Sequence, residues 1–139
     1  AKCIDNIDVD IPWASLELIN DSQRAELLLS ICAMNLKKTP GGSSTNQTEL
    51  EKVVEEDQSF IRRQYSIYEP DLTICCGTGW DFRYALSLND GDVLETKHGI
   101  KWFRNHEGRP VVIYRHPQSR IKHSTLTYEL VDAIREIIA

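Results

Sequence analysis

Three short apolar runs, each closed by a glycine, a proline or a polar cluster, constrain this chain more than any other feature. They are Leu29-Ser30-Ile31-Cys32-Ala33-Met34, Leu72-Thr73-Ile74-Cys75-Cys76 and Val111-Val112-Ile113-Tyr114. Runs this short, bounded by turn residues and lacking a polar alternation, predict strands buried on both faces. Helical patterns lie between them. Asn46 with Glu49 three residues on has the arrangement of a cap, and Leu50, Val53, Val54, Phe60, Ile61, Gln64 and Tyr68 fall on one helical face that Pro70 ends. The acids Glu49, Glu51, Glu55, Glu56 and Asp57 read as the solvated side of that helix.

The remaining elements are shorter. A cap at Asp21 predicts a short helix from Ser22, and Pro40-Gly41-Gly42 predicts a turn. Trp80 to Leu88 reads as a short helix, and Val93 to Phe103, with Gly99 in its middle, as a β-ribbon or irregular excursion. From Thr125 to Ile138, the set Leu126, Leu130, Val131, Ile134, Ile137 and Ile138 marks a closing helix. Residues 1 to 12 give no clear element.

Buried strands alternating with amphipathic helices imply an α/β fold, expected here as a three-layer α/β/α sandwich with a short, mainly parallel sheet. At 139 residues, 41% of them apolar, the chain is expected to form a single domain over 1–139. Its formal charge of −5 argues against a protein that coats nucleic acid through a broadly positive surface. A local basic mouth is still open to it. Arg115, Arg120 and Lys122 lie with His116 and His123 in a window free of acids. No apolar run approaches the roughly 18 to 20 residues of a membrane span, and no leader pattern opens the chain, so a soluble, cytoplasmic protein is expected.

Parallel sheets bind ligands beyond the carboxyl ends of their strands. The candidates there are Asn35 with Lys37 and Lys38, then Gly77 to Gly79, then His116 to Arg120. His116-Pro117-Gln118-Ser119-Arg120 offers an imidazole, an amide, a hydroxyl and a guanidinium directly after a buried strand, a set able to bond a planar heterocycle and grip phosphate. The alternative is a histidine that merely caps a strand end. Asn35 carries a donor and an acceptor side by side, suited to a pyrimidine edge, or it simply initiates a turn. Lys37 and Lys38 face phosphate or solvent.

Other chemistries find no footing. Gly77-Thr78-Gly79 has neither the Walker nor the dinucleotide spacing, and no serine sits in a GxSxG elbow. Cys3, Cys32, Cys75 and Cys76 form no CxxC pair and are expected as free thiols, the last three buried in apolar runs; the four histidines lack metal spacing. No metal and no cofactor are expected. Trp13, Trp80 and Trp102 are expected in core or rim packing.

Three segments in order, Met34-Asn35-Leu36-Lys37-Lys38-Thr39-Pro40-Gly41-Gly42, Glu69-Pro70-Asp71-Leu72-Thr73-Ile74-Cys75-Cys76-Gly77 and Tyr114-Arg115-His116-Pro117-Gln118-Ser119-Arg120, together resemble the uracil-DNA glycosylase superfamily, in particular its divergent bacterial branches. The likeness spans about Ile31 to the C-terminus. It implies a three-layer sandwich that flips a nucleotide from DNA and hydrolyses the bond between base and sugar. By that resemblance His116 is the catalytic donor to the base's O2 and Asn35 reads the base edge. Lys37, Lys38, Gln118, Ser119, Arg120 and Lys122 are the DNA- and phosphate-binding residues, and the partner is DNA containing uracil or a damaged base.

One departure stands out. The family's glycine-rich first motif, with its water-positioning group, has no counterpart in residues 1 to 30, which contain no glycine. The expectation is that the chain either lacks an N-terminal part or has replaced that group. Two further readings stay open: a non-catalytic nucleotide- or nucleic-acid-binding module of the same fold, and an unrelated α/β interaction domain.

Overall fold

A computed structural model describes residues 2–38 and 46–139. In chain order the elements are α1 (Lys2–Asp5), α2 (Trp13–Glu17), α3 (Asp21–Leu29), α4 (Gln47–Glu56), α5 (Gln58–Tyr68), β1 (Thr73–Cys76), α6 (Gly79–Ala85), a 3₁₀ turn (Asp90–Asp92), β2 (Leu94–Glu95), β3 (Lys101–Arg104), β4 (Pro110–Tyr114) and α7 (His123–Ile138). The chain divides into two compact units, one of residues 1–33 with 120–139 and one of residues 34–119. The turn expected at Pro40-Gly41-Gly42 lies outside the described residues. Among the described residues, no helix is long and apolar enough to cross a membrane.

The first unit holds α1, α2, α3 and α7. Asn20, one residue earlier than expected, caps α3 through a capping box with Gln23. The Tyr128 hydroxyl of α7 donates to the Ile11 carbonyl at 2.6 Å, and Arg135 donates to the Ile7 carbonyl at 2.6 Å while pairing with Asp10 at 2.8 Å. These bonds fasten the N-terminal loop to the closing helix. Trp13 packs edge-on against Tyr128, with ring centroids 6.5 Å apart.

The predicted strand Leu29–Met34 is not there. Helix α3 takes Leu27, Leu28 and Leu29, and residues 31 to 35 run on without regular structure, with Leu29 89% exposed and Ile31 52% exposed. The reason is physical. A capping box nucleates the helix upstream, Ala25-Glu26-Leu27-Leu28-Leu29 are strong helix formers, and apolarity alone does not choose between the two periods.

The second unit is built on a four-stranded mixed sheet in the order β1-β4-β3-β2. Of its three pairings only β1 with β4 is parallel, so the expected mainly parallel sheet is corrected to a mixed one. The segment Val93 to Phe103 is what changes it. It forms the ribbon β2–β3, closed by Gly99 at φ +83° and by Thr96, whose hydroxyl accepts from the Ile100 amide. The ribbon then joins β4 through a second tight turn, held by the Asn105 side chain accepting from the Glu107 and Arg109 amides. Connections this short can only join antiparallel strands.

Paired residues share a face of a sheet and neighbours along a strand alternate. Thr73, Val111 and Phe103 therefore share one face with Cys75, Ile113, Lys101 and Glu95. Helices α4, α5 and α6 cover this face. The expected helix 46–68 breaks at Asp57 into α4 and α5, and it turns Leu50, Val54, Ile61 and Tyr65 inward while leaving Phe60 exposed. Phe82 and Ala85 of α6 meet them, with the Tyr65 and Phe82 rings edge-on at 4.9 Å. Removing side chains such as Val54, Ile61, Phe103 and Val111 from water contributes about 1.5–3 kcal/mol each. Polar groups beside this core bond to one another. Tyr65 and Thr73 share a hydroxyl bond at 2.9 Å, and Asn105 Nδ2 donates to the Tyr65 oxygen.

Helix α6 lies close enough to the sheet that only glycine fits at its first position. A Cβ on Gly79 falls 2.7 Å from both Cγ1 and Cγ2 of Ile113. Alanine at a helix start recovers some backbone entropy, at most about 1 kcal/mol, but overpacking against a β-branched side chain costs about 1–3 kcal/mol. Gly79→Ala is expected to lower unfolding stability in a denaturant titration. Adding Ile113→Ala should recover part of that loss, so that the double variant falls short of the sum of the singles. Strict additivity would mean that the contact does not hold the helix.

Asp81, in the first turn of α6, is buried and accepts a hydrogen bond from Gln47 Nε2 of α4 at 3.0 Å. Burial pushes its carboxyl above the usual range, with the Glu51 charge adding to it, while a backbone amide and Gln47 pull it back. The folded chain thus holds this proton more tightly than the unfolded one. Asp81 then favours folding below the ordinary aspartate range, and that contribution is lost as pH rises through the raised value. Asp81→Asn keeps the acceptor and removes the charge. Its Tm is expected to match or exceed the parent's at neutral pH, and that advantage should disappear below about pH 4. A variant that is less stable at neutral pH than in acid, relative to the parent, would contradict the sign.

Candidate functional site

The parallel pair β1–β4 delivers two strand ends to one edge. The Gly77 amide donates to the Tyr114 carbonyl at 2.8 Å, extending the ladder one residue beyond β1. Gly77 then turns at φ +80°, and a Cβ there would sit 3.5 Å from His116 Cβ. The left-handed turn favours glycine at this position. The backbone leaving β1 therefore runs directly beside the histidine that follows β4.

His116 is exposed, and its ring is held by the turn that begins with it. The Ser119 amide donates to the His116 carbonyl at 2.9 Å, and the Gln118 amide donates to His116 Nδ1 at 3.2 Å. With Nδ1 accepting, a neutral ring carries its proton on Nε2. The strand end thus presents a single N–H donor, oriented by the proline turn rather than by an acid. Such a group can bond a carbonyl oxygen or stabilise negative charge developing on one.

The other predicted residues divide. Gln118 is exposed in the same turn. Ser119 is half-buried; its hydroxyl is closed to solvent and has no hydrogen-bond partner among the described residues. Arg120 and Lys122 belong to the first unit, where both are exposed and Lys122 precedes α7. Asn35 follows no strand. It is exposed in an irregular segment whose neighbour Leu36 is anchored in the core, and its side chain makes no hydrogen bond among the described residues.

Lys37 pairs with Glu49 of α4, and Lys38 donates to Gln64 of α5 at 2.7 Å and to the Asn35 carbonyl. Partial burial lowers the Lys38 pKa, against the attraction of Asp57. The two lysines fasten this segment to the helices that cover the sheet.

The cysteines are free, but only Cys75 is buried; Cys32 and Cys76, also expected inside, are exposed. Burial, with Cys76 beside it, pushes the Cys75 thiol up to about 12, and partial burial raises Cys76 as well. Both thiols are held away from the nucleophilic thiolate form at neutral pH. Among the described residues no group of three His, Cys, Asp or Glu side chains is placed to hold a metal ion.

Trp80, expected in core or rim packing, is 51% exposed. The signal for it was in the sequence. A glycine that lays the start of a helix on a strand turns the next residue outward. No family model, curated protein or solved structure matches the chain.

The tautomer is directly measurable. In a long-range ¹⁵N–¹H correlation spectrum of the neutral ring, His116 is expected as the Nε2–H form. A protonated Nδ1 would remove the oriented donor from the strand end.

Proposed function

We propose that this chain is a uracil-DNA-glycosylase-like protein that hydrolyses the N-glycosidic bond of a flipped uracil or damaged base in DNA. The observation that carries the reading is the His116 donor at the parallel strand ends, with Nδ1 occupied by the Gln118 amide and Gly77 packed alongside. Breaking the bond between sugar and base leaves positive charge on the sugar and negative charge on the base. A donor fixed at the oxygen where that charge collects stabilises the transition state more than the ground state. Flipping costs a few kcal/mol, which binding of the extruded base offsets.

The three-layer glycosylase-like sandwich belongs to the same proposal. One layer of helices on one face of the sheet supports it, as does the placing of the HP turn at the end of a parallel pair. Asn35 as reader of the base edge, and Gln118, Ser119, Arg120 and Lys122 as DNA contacts, are its finer parts. Lys37 and Lys38 would join them only by giving up their present partners.

Single- and double-stranded DNA carrying one uracil, incubated with the full chain and then treated with alkali, tests the reading. Strand scission at the uracil is expected. His116→Ala should reduce it by about 10²–10³-fold, the loss typical of one oxyanion donor. Absence of an abasic product from the parent chain sinks hydrolysis, and measurable binding in that case leaves the non-catalytic module. Unaltered cleavage by His116→Ala removes the histidine from the chemistry.

A further inference from the structure

A concavity of about 400 Å³ opens on the helix-covered face of the sheet, lined by Trp80 and Arg83 of α6 and by Val93, Leu94, Glu95 and Lys101 of the ribbon. We propose that this cleft binds one nucleotide of a single DNA strand, its base stacked on Trp80 and its phosphate held by Lys101. The indole is half-exposed on a helix whose first turn is fixed by the Gly79–Ile113 contact, so the ring is a positioned platform. Two cations lie over it, the Lys101 ammonium 5.8 Å from the ring centroid and the Arg83 guanidinium 5.9 Å, so the ammonium leaves the ring face when it takes the phosphate. Arg83 is buried at 3% exposure, whereas Lys101 is exposed and makes no ion pair among the described residues. Glu95, in register with Lys101, shares the cleft.

A flat aromatic face beside an accessible ammonium is the combination that holds single strands, the base giving stacking and the backbone giving charge. The position favours the same ligand. Lys101 is in register with Ile113, one residue before the end of β4, so the cleft lies at the sheet edge that carries His116. The choice of DNA among anionic aromatic ligands rests on the proposed function; the platform itself does not.

The probe is a fluorescein-labelled dT12 strand, which contains no uracil, titrated with the full chain and followed by anisotropy. Saturable binding is expected. Trp80→Ala should weaken it at least about fivefold, the lower end for one stacked base, and Trp80→Phe should keep most of the affinity. Lys101→Gln should reduce the slope of log affinity against log salt by about one. Thermal melting of Trp80→Ala checks that the fold persists. The proposal is overturned if dT12 does not bind saturably, if Trp80→Ala binds as tightly as the parent, or if Trp80→Phe loses as much as Trp80→Ala. Displacement of dT12 by inorganic phosphate alone at millimolar concentration also overturns it, since a bare anion site would then suffice. A chain that binds dT12 through Trp80 yet leaves uracil DNA intact keeps the cleft and loses hydrolysis. One that cuts while Trp80→Ala changes nothing loses only the cleft.

Discussion

Helix α6 meets the sheet through bare backbone. At Gly79 the missing side chain lets the first turn descend onto Ile113, to a distance at which any Cβ would overlap both branches of the isoleucine. The places of the next residues of the helix depend on that approach. Phe82 and Ala85 reach the core, Asp81 is drawn under α4 to Gln47, and Trp80 is turned outward. Packing of this kind tolerates little volume change, because interiors are filled to crystal-like density. The same strand, β4, is clasped from one side by β1 and from the other by β3. It is therefore the element on which both neighbouring strands and the covering helix converge.

Legibility in the sequence followed burial. Strands β1 and β4 could be read because their runs are apolar without alternation and stop at Gly77 and at Arg115-His116, and the structure holds them within a residue of the expected limits. The closing helix was legible from its period, although Ile138 proves exposed. Leu29 to Met34 had the same composition and the opposite outcome. Its first residue finished a helix nucleated nine residues earlier at Asn20, and nothing local in Ser30 to Met34 supplies a partner edge. A strand is a property of two segments, and composition reports only one. The mixed sheet was missed for a related reason. Gly99 betrayed the ribbon, but no residue in Val93 to Phe103 says which strand the ribbon will join.

The candidate site was legible to a similar degree. His116 could be found because a proline-fixed turn after a buried strand is a local pattern, and Gln118 bonds back to the ring within that pattern. Asn35 depended on a strand before it. Without that strand, its place is set by Leu36 in the core and by two lysines, one paired with Glu49 and one hydrogen-bonded to Gln64. The basic pair was visible as charge but not as partnership, since the partners lie 12 and 26 positions away.

The antiparallel ribbon changes what the sheet edge can do. In a fully parallel sheet, every strand brings its carboxyl end, and the loops beyond it, to the same side. Here β1 and β4 do so, delivering Gly77 and His116, while β3 runs the other way and brings its first residue instead. That residue is Lys101, in the row of Cys75, Ile113 and Glu95, on the face that α6 covers only as far as Trp80. Reversing one strand thus places a side-chain cation along an edge where a parallel strand would place a loop. The loop Gly77-Thr78-Gly79 connects the two features. Its first glycine lies beside His116 and its second sets the helix that carries Trp80, so a change in this loop moves both the imidazole donor and the indole platform.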